Sequence, residues 1–115
     1  MAEECIFCRI ITGEVPSDIV YQDENFLAFR DISPQAPIHL LIIPKIHITS
    51  LAELTEGQQD LVGRLIMTAK KLAEKEGIAK SGYRLSINCG PDGGQAVPHL
   101  HLHLIGGRKL VDRLG

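Results

Sequence analysis

The sequence predicts a single domain of mixed strands and helices, with one long helix laid over a small sheet. Two patterns carry that prediction. Between Thr55 and Gly77 the residues Leu61, Val62, Leu65, Ile66, Ala69, Leu72 and Ala73 recur at helical spacing as one apolar stripe. In Pro98–Ile105 the period drops to two, so a strand there puts His99, His101 and His103 on one face and Leu100, Leu102 and Leu104 on the other. One face suits a core and the other suits chemistry. At 115 residues, the span 1–115 has room for one hydrophobic core and not for two.

The elements follow in order. Ile6, Phe7, Ile10 and Ile11 suit a short amphipathic helix stopped by Gly13. Ile19–Gln22 and Phe26–Arg30, joined by Asp23-Glu24-Asn25, read as a hairpin. Ser33-Pro34-Gln35-Ala36-Pro37 is a loop, because two prolines forbid helix. Ile38–Ile43 is apolar on both faces and therefore a deeply placed strand. Thr55-Glu56-Gly57-Gln58 is a capping box that opens the long helix. Tyr83–Cys89 is a fourth strand, with Leu85, Ile87 and Cys89 on one face and Arg84, Ser86 and Asn88 on the other. The last strand is Pro98–Ile105.

Composition excludes several classes. With 44% hydrophobic and 23% charged residues and a net charge of -2, no basic surplus draws nucleic acid. No basic start with an apolar run and no membrane-length span is present, so the expectation is a cytoplasmic protein with no membrane partner. Three cysteines in a reducing compartment are expected as thiols.

Three features carry chemistry. Cys5-Ile6-Phe7-Cys8 reads as half of a zinc site or as two buried apolar residues, since no strand precedes it as in a redox pair. One end of the histidine strand and one more histidine would complete the four ligands, leaving three of the five histidines free. Gly90-Pro91-Asp92-Gly93-Gly94-Gln95 is a glycine-rich turn whose backbone N–H groups could approach an anion. Set before three imidazoles, it looks like the rim of a phosphate site. A neutral imidazole is a nucleophile near pH 7 and can carry a phosphoryl group covalently.

His99-Leu100-His101-Leu102-His103-Leu104-Ile105 resembles the motif of the histidine triad superfamily. The likeness extends through Cys5-Ile6-Phe7-Cys8, the segment Asp31–His39, Ile43-Pro44-Lys45, Asn88-Cys89-Gly90 and Asp92-Gly93-Gly94-Gln95, and is nearest to the histidine triad nucleotide-binding branch. The resemblance implies an α+β fold, a five-stranded antiparallel sheet with one long helix and a short N-terminal helix. It implies a homodimer joined through the Tyr83–Cys89 strand and the Thr55–Glu76 helix. It implies an enzyme that acts at the α-phosphate of a purine nucleotide, with adenosine 5′-phosphoramidates as substrates and His101 as nucleophile. On that pattern His103 and His39 serve the phosphate and the leaving group. Asp31 accepts the ribose hydroxyls, Phe7, Ile10, Phe29 and Ile32 wall the base, and Asn88, Gly94, Gln95 and Val97 line the phosphate. Relatives with Cys-x-x-Cys imply a structural zinc on Cys5, Cys8, His47 and His99.

Two departures stand out. Ala96 occupies the place of a serine, and the segment Gly106–Gly115 lacks the family's Trp-Pro-Pro-Gly tail. Both bear on the leaving group and neither on the nucleophile. The rival readings are a dinucleoside polyphosphate hydrolase, a nucleotide sensor with incidental turnover, and a zinc-stabilised structural domain.

Overall fold

The near-continuous apolar run of β3 (Ile38–Pro44) fixes the centre of the molecule, because both of its faces are buried. The structure is a computed structural model and describes residues 5–111. Around β3 stand β1 (Ile19–Gln22), β2 (Phe26–Arg30), β4 (Tyr83–Ser86) and β5 (Leu102–Gly106), with helices α1 (Ile6–Ile11) and α2 (Gln59–Lys75). The five strands form one antiparallel sheet in the order β1-β2-β3-β5-β4. The five-stranded sheet with one long and one short helix is the expected fold.

The two faces of the sheet have different fates. Phe26, Ala28, Leu40, Ile42, Leu102 and Leu104 pack against Leu65, Ala69, Leu72 and Ala73 of α2 in the main core. Their sequence neighbours Leu27, Phe29, Leu41 and Ile43 point the other way and pack against Phe7 and Ile10 of α1. With only six residues, α1 covers one part of that second face. The register Leu41↔His103, His39↔Ile105, Ser86↔His103 and Arg84↔Ile105 lays the polar remainder of the same face beside it. The site lies where the short helix stops.

Local chemistry explains the boundaries. The hairpin turn is held by Asp23, whose Oδ1 accepts the N–H groups of Asn25 and Phe26 at 2.8 Å each. The Thr55 N–H donates to Gln58 Oε1 at 2.9 Å, as a capping box requires, yet a 3-10 turn over Glu56–Gln58 precedes α2. Gly77, at φ 79°, ends α2 in the left-handed conformation that glycine adopts without strain.

Two expected strands are shorter than the sequence indicates. β4 ends at Ser86 rather than Cys89, because its ladder with β5 closes at Ser86↔His103 and the chain then enters the glycine turn. β5 begins at Leu102 rather than Pro98. His99 and Leu100 spend their N–H groups on Val97 O (2.8 Å) and Ile48 O (2.7 Å), outside any ladder. Only His103 of the three triad histidines is therefore in a strand. Among the described residues no helix is long and apolar enough to cross a membrane. Residues 112–115, the end of the segment that departs from the family tail, lie outside the described residues.

Candidate active site

Tautomers can be assigned around the histidines from their backbone partners. The Gln35 N–H donates to His39 Nδ1 at 3.0 Å, so the proton of His39 sits on Nε2. That Nε2–H donates to His103 Nδ1 at 3.0 Å, with Asp31 Oδ2 3.4 Å away. His103 is left with its proton on Nε2, a donor. His101 has the reverse arrangement: its Nδ1–H donates to the His99 carbonyl at 2.7 Å. The Nε2 of His101 therefore carries an unshared lone pair. The rings of His101 and His103 are 5.1 Å apart.

Burial keeps His39 and His103 neutral. Desolvation lowers His39 despite the opposing Asp31 carboxylate. Desolvation, then the neighbouring His101 and His39, push His103 down to about 4. Asp31, His39 and His103 also lie close enough to hold a cation. The Gln35 N–H argues for a proton instead: with Nδ1 of His39 already an acceptor, Nε2 must keep its hydrogen.

Phe7 packs edge-on against His101, with centroids 5.2 Å apart, and against Phe29 at 5.4 Å. Phe7, Ile10 and Phe29, expected to wall a base, are brought together but are 6%, 6% and 4% exposed, whereas Ile32 stands 95% exposed on the loop beyond β2. The three form the floor beneath the site, and the accessible apolar surface is that of Ile32.

The phosphate rim differs from expectation. The N–H groups of Gly94 and Gln95 are spent inside the turn, on Pro91 O and Gly90 O at 3.0 Å each. The Gln95 carboxamide is spent too: Nε2 donates to Thr49 O and Val97 O, and Oε1 accepts from the Gly90 N–H. Gly94 and Gln95 thus brace the loop. The N–H groups of Ala96 and Val97, nearest the histidines in sequence, make no hydrogen bond among the described residues. Spacing along the sequence carries no signal for that exchange. Asn88 lines a cleft of about 610 Å³ together with Asp31, His39 and His103.

On the other side of Phe7, Cys5, Cys8, His47 and His99 gather with their ligand atoms all within 4.8 Å of one another. Cys5 Sγ lies 3.3 Å from His99 Nδ1, and Cys8 Sγ lies 3.2 Å from His47 Nδ1 and 3.6 Å from His99 Nδ1. Metal–sulfur bonds of ~2.3 Å and metal–nitrogen bonds of ~2.0 Å at tetrahedral angles put unlike ligands about 3.5 Å apart. The four residues fit a tetrahedral divalent cation. His99 donates its Nε2–H to Pro44 O at 2.9 Å, which leaves Nδ1 free to ligate. Burial, then the adjoining Cys5, push the Cys8 thiol up to about 11, the condition a bound cation reverses by holding thiolate.

An antiparallel five-stranded sheet with paired, neutral histidines at its uncovered face defines a histidine triad protein. The chain belongs to the HIT domain family, whose model matches residues 12–110. It is 56% identical over 110 residues to the purine nucleoside phosphoramidase of Escherichia coli (strain K12), covering 96% of this chain and 92% of that one. Its structure is similar to that of the HIT family hydrolase from Legionella pneumophila Philadelphia 1, with a TM-score of 0.95, 49% identity, and coverage of 97% and 100% of the two chains. It is also similar to a Zn-bound histidine triad family protein from Mycobacterium smegmatis, with a TM-score of 0.80, 32% identity, and coverage of 100% and 82%.

Proposed function

We propose that this protein is a histidine triad hydrolase that cleaves purine nucleoside 5′-phosphoramidates through a covalent nucleotidyl-histidine. The supporting observation is the His101 tautomer. Its Nδ1–H is held by the His99 carbonyl, so the neutral ring presents its lone pair on Nε2. That Nε2 attacks the α-phosphorus. The P–N bond breaks, its electron pair leaves with the amine, and the amine nitrogen takes a proton from water in the cleft. The positive charge that develops on the ring is stabilised by the same carbonyl. The hydroxide left by that proton transfer then cleaves the nucleotidyl-His101 bond, releasing the nucleoside monophosphate and neutral imidazole.

The other residues position and neutralise. His103 offers its Nε2–H to a phosphate oxygen and is held by His39 behind it. Ala96 and Val97 offer backbone N–H groups, with Asn88 at the cleft wall, inside a loop that Gly94 and Gln95 brace. Asp31 accepts the ribose hydroxyls, and Ile32 covers the base above Phe7, Ile10 and Phe29. The metal on Cys5, Cys8, His47 and His99 is zinc, and its role is structural: it ties α1 to the segment that carries the nucleophile. The identity to the Escherichia coli enzyme supports the substrate class, and the Zn-bound relative supports the metal.

The test is incubation with adenosine 5′-phosphoramidate, rapid quenching and mass analysis. A nucleotidyl adduct on the peptide containing His101 is the expected result. Tight AMP binding with no adduct and no amine release would identify a sensor instead.

A further inference from the structure

The cleft runs past the histidines. Beyond His39, His103 and Asn88 its wall includes Arg84 and Arg108. The ladder pairs Ser86 with His103 and Arg84 with Ile105, so Arg84 stands two residues further along β4 on the same face, roughly 7 Å on. Arg108 is fixed from the opposite side. Its Nη2 donates to the Gln35 carbonyl at 2.7 Å, and the Gln35 N–H is the group that orients His39. Both guanidiniums are therefore registered to the catalytic histidines by backbone contacts.

Arg9 is paired with Glu14, and Arg30 with Asp18 and Glu76. Arg84 and Arg108 form no ion pair among the described residues. Arg84 donates to Val111 O, and Arg108 to Gln35 O and Lys109 O. Each guanidinium has five N–H donors, so most remain available. Among the described residues the one acid in the cleft wall is Asp31, which faces His39 and accepts the Ser33 N–H. The imidazoles beside it are held neutral by burial. The outer end of the cleft thus carries two positive charges that no described acid pairs, beyond the histidines that handle the phosphate.

We propose that Arg84 and Arg108 form an anion subsite for the leaving group, which selects substrates whose departing amine carries a negatively charged oxyacid. The inference rests on reading the cleft as a nucleoside phosphoramidate site. The chemistry is that of a guanidinium facing a carboxylate or phosphate, a charge-assisted hydrogen bond with planar, two-point geometry.

The test compares two substrates that differ only in charge: the adenosine 5′-phosphoramidates of β-alanine and of β-alaninamide. The wild-type protein should favour the carboxylate in kcat/KM by about 10-fold. In Arg84→Gln and in Arg108→Gln that ratio should fall towards unity, and Arg84→Lys should restore part of it because the charge returns. Equilibrium binding of ADP against AMP makes the same comparison with a phosphate and without turnover. ADP should bind more tightly to the wild type, and Arg84→Gln should erase the difference. Absent turnover with the ADP preference intact would fault the phosphoramidase reading and leave the subsite standing. Equal turnover of the two adducts, with AMP and ADP bound alike, would overturn the subsite alone.

Discussion

Single hydrogen bonds divide the labour among the histidines. His101 gives its Nδ1 proton to the His99 carbonyl and keeps Nε2 for attack. His39 and His103 are locked in the opposite order by the Gln35 N–H. His101→Ala should therefore abolish turnover and adduct formation while AMP affinity changes by less than about 10-fold, read by single-turnover assay and calorimetry. The pH dependence of stability follows from His103. Its folded pKa, about 4, lies below the unfolded value near 6.5, so between those two values the unfolded chain binds the extra proton. Stability should be complete above about pH 6.5 and decline as the pH falls towards 4. Urea titrations at pH 7 and pH 5 should show that loss, and His103→Asn should reduce it. Ala96 bears on a different step. Its methyl cannot reach the bridging nitrogen as a hydroxyl could, and such a bond is worth roughly 1.5–3 kcal/mol. Ala96→Ser should raise kcat/KM for an adenosine phosphoramidate selectively, with little gain on a dinucleoside polyphosphate.

At the scale of elements, α1 is the link between the proposed metal site and the proposed nucleophile. Cys5 and Cys8 flank Phe7, which packs edge-on against His101, and His99, the fourth residue of the Cys/His cluster, supplies the carbonyl that holds the His101 ring. A six-residue helix is too short to be stable alone, so its place depends on these anchors. Cys8→Ser should lower Tm by about 10 °C, near 2 kcal/mol for a domain of this size. AMP affinity measured at low temperature should change far less. Metal analysis of chelator-free wild-type protein should find one zinc per chain, and that zinc should be absent from the variant. The loop before β5 is similarly determined. A side chain at Gly93 would collide with the Cys89 carbonyl, so this turn admits only glycine there without moving.

For the whole molecule, the sheet ends in two edges, β1 and β4. On α2, which packs on the same sheet, Ile66 is 38% and Met67 52% exposed. An unpaired edge next to apolar surface is normally covered. Pairing β4 with the β4 of a second copy about a two-fold axis would cover it and extend the sheet to ten strands. Light scattering at micromolar concentration should give the mass of a dimer, and a charged residue at Met67 should shift it towards the monomer. A stable wild-type monomer would refute the arrangement.

Local sequence determined much of this protein. The hydrophobic patterns placed α1, β1, β2, β3 and α2 close to their observed ends, because the helices bury one stripe, β2 and β3 bury both faces, and each pattern reports its burial directly. Residue chemistry likewise marked the Cys-x-x-Cys pair and the histidines as the groups to watch. What the alternation could not show is that His99 and His101 lie outside the strand that holds His103. The N–H groups of His99 and Leu100 bond to the carbonyls of Val97 and Ile48, and the Ile48 partner is supplied by folding. The same holds for Gly94 and Gln95, whose donors turned out to be spent within the loop while those of Ala96 and Val97 are free. Pattern along a chain gives the side of an element a residue faces. Which hydrogen-bond partner it meets there, and hence which nitrogen keeps its lone pair, was decided by the path of the folded backbone: the His99 carbonyl turns onto His101 only two residues away, and His39 reaches His103 from across the sheet.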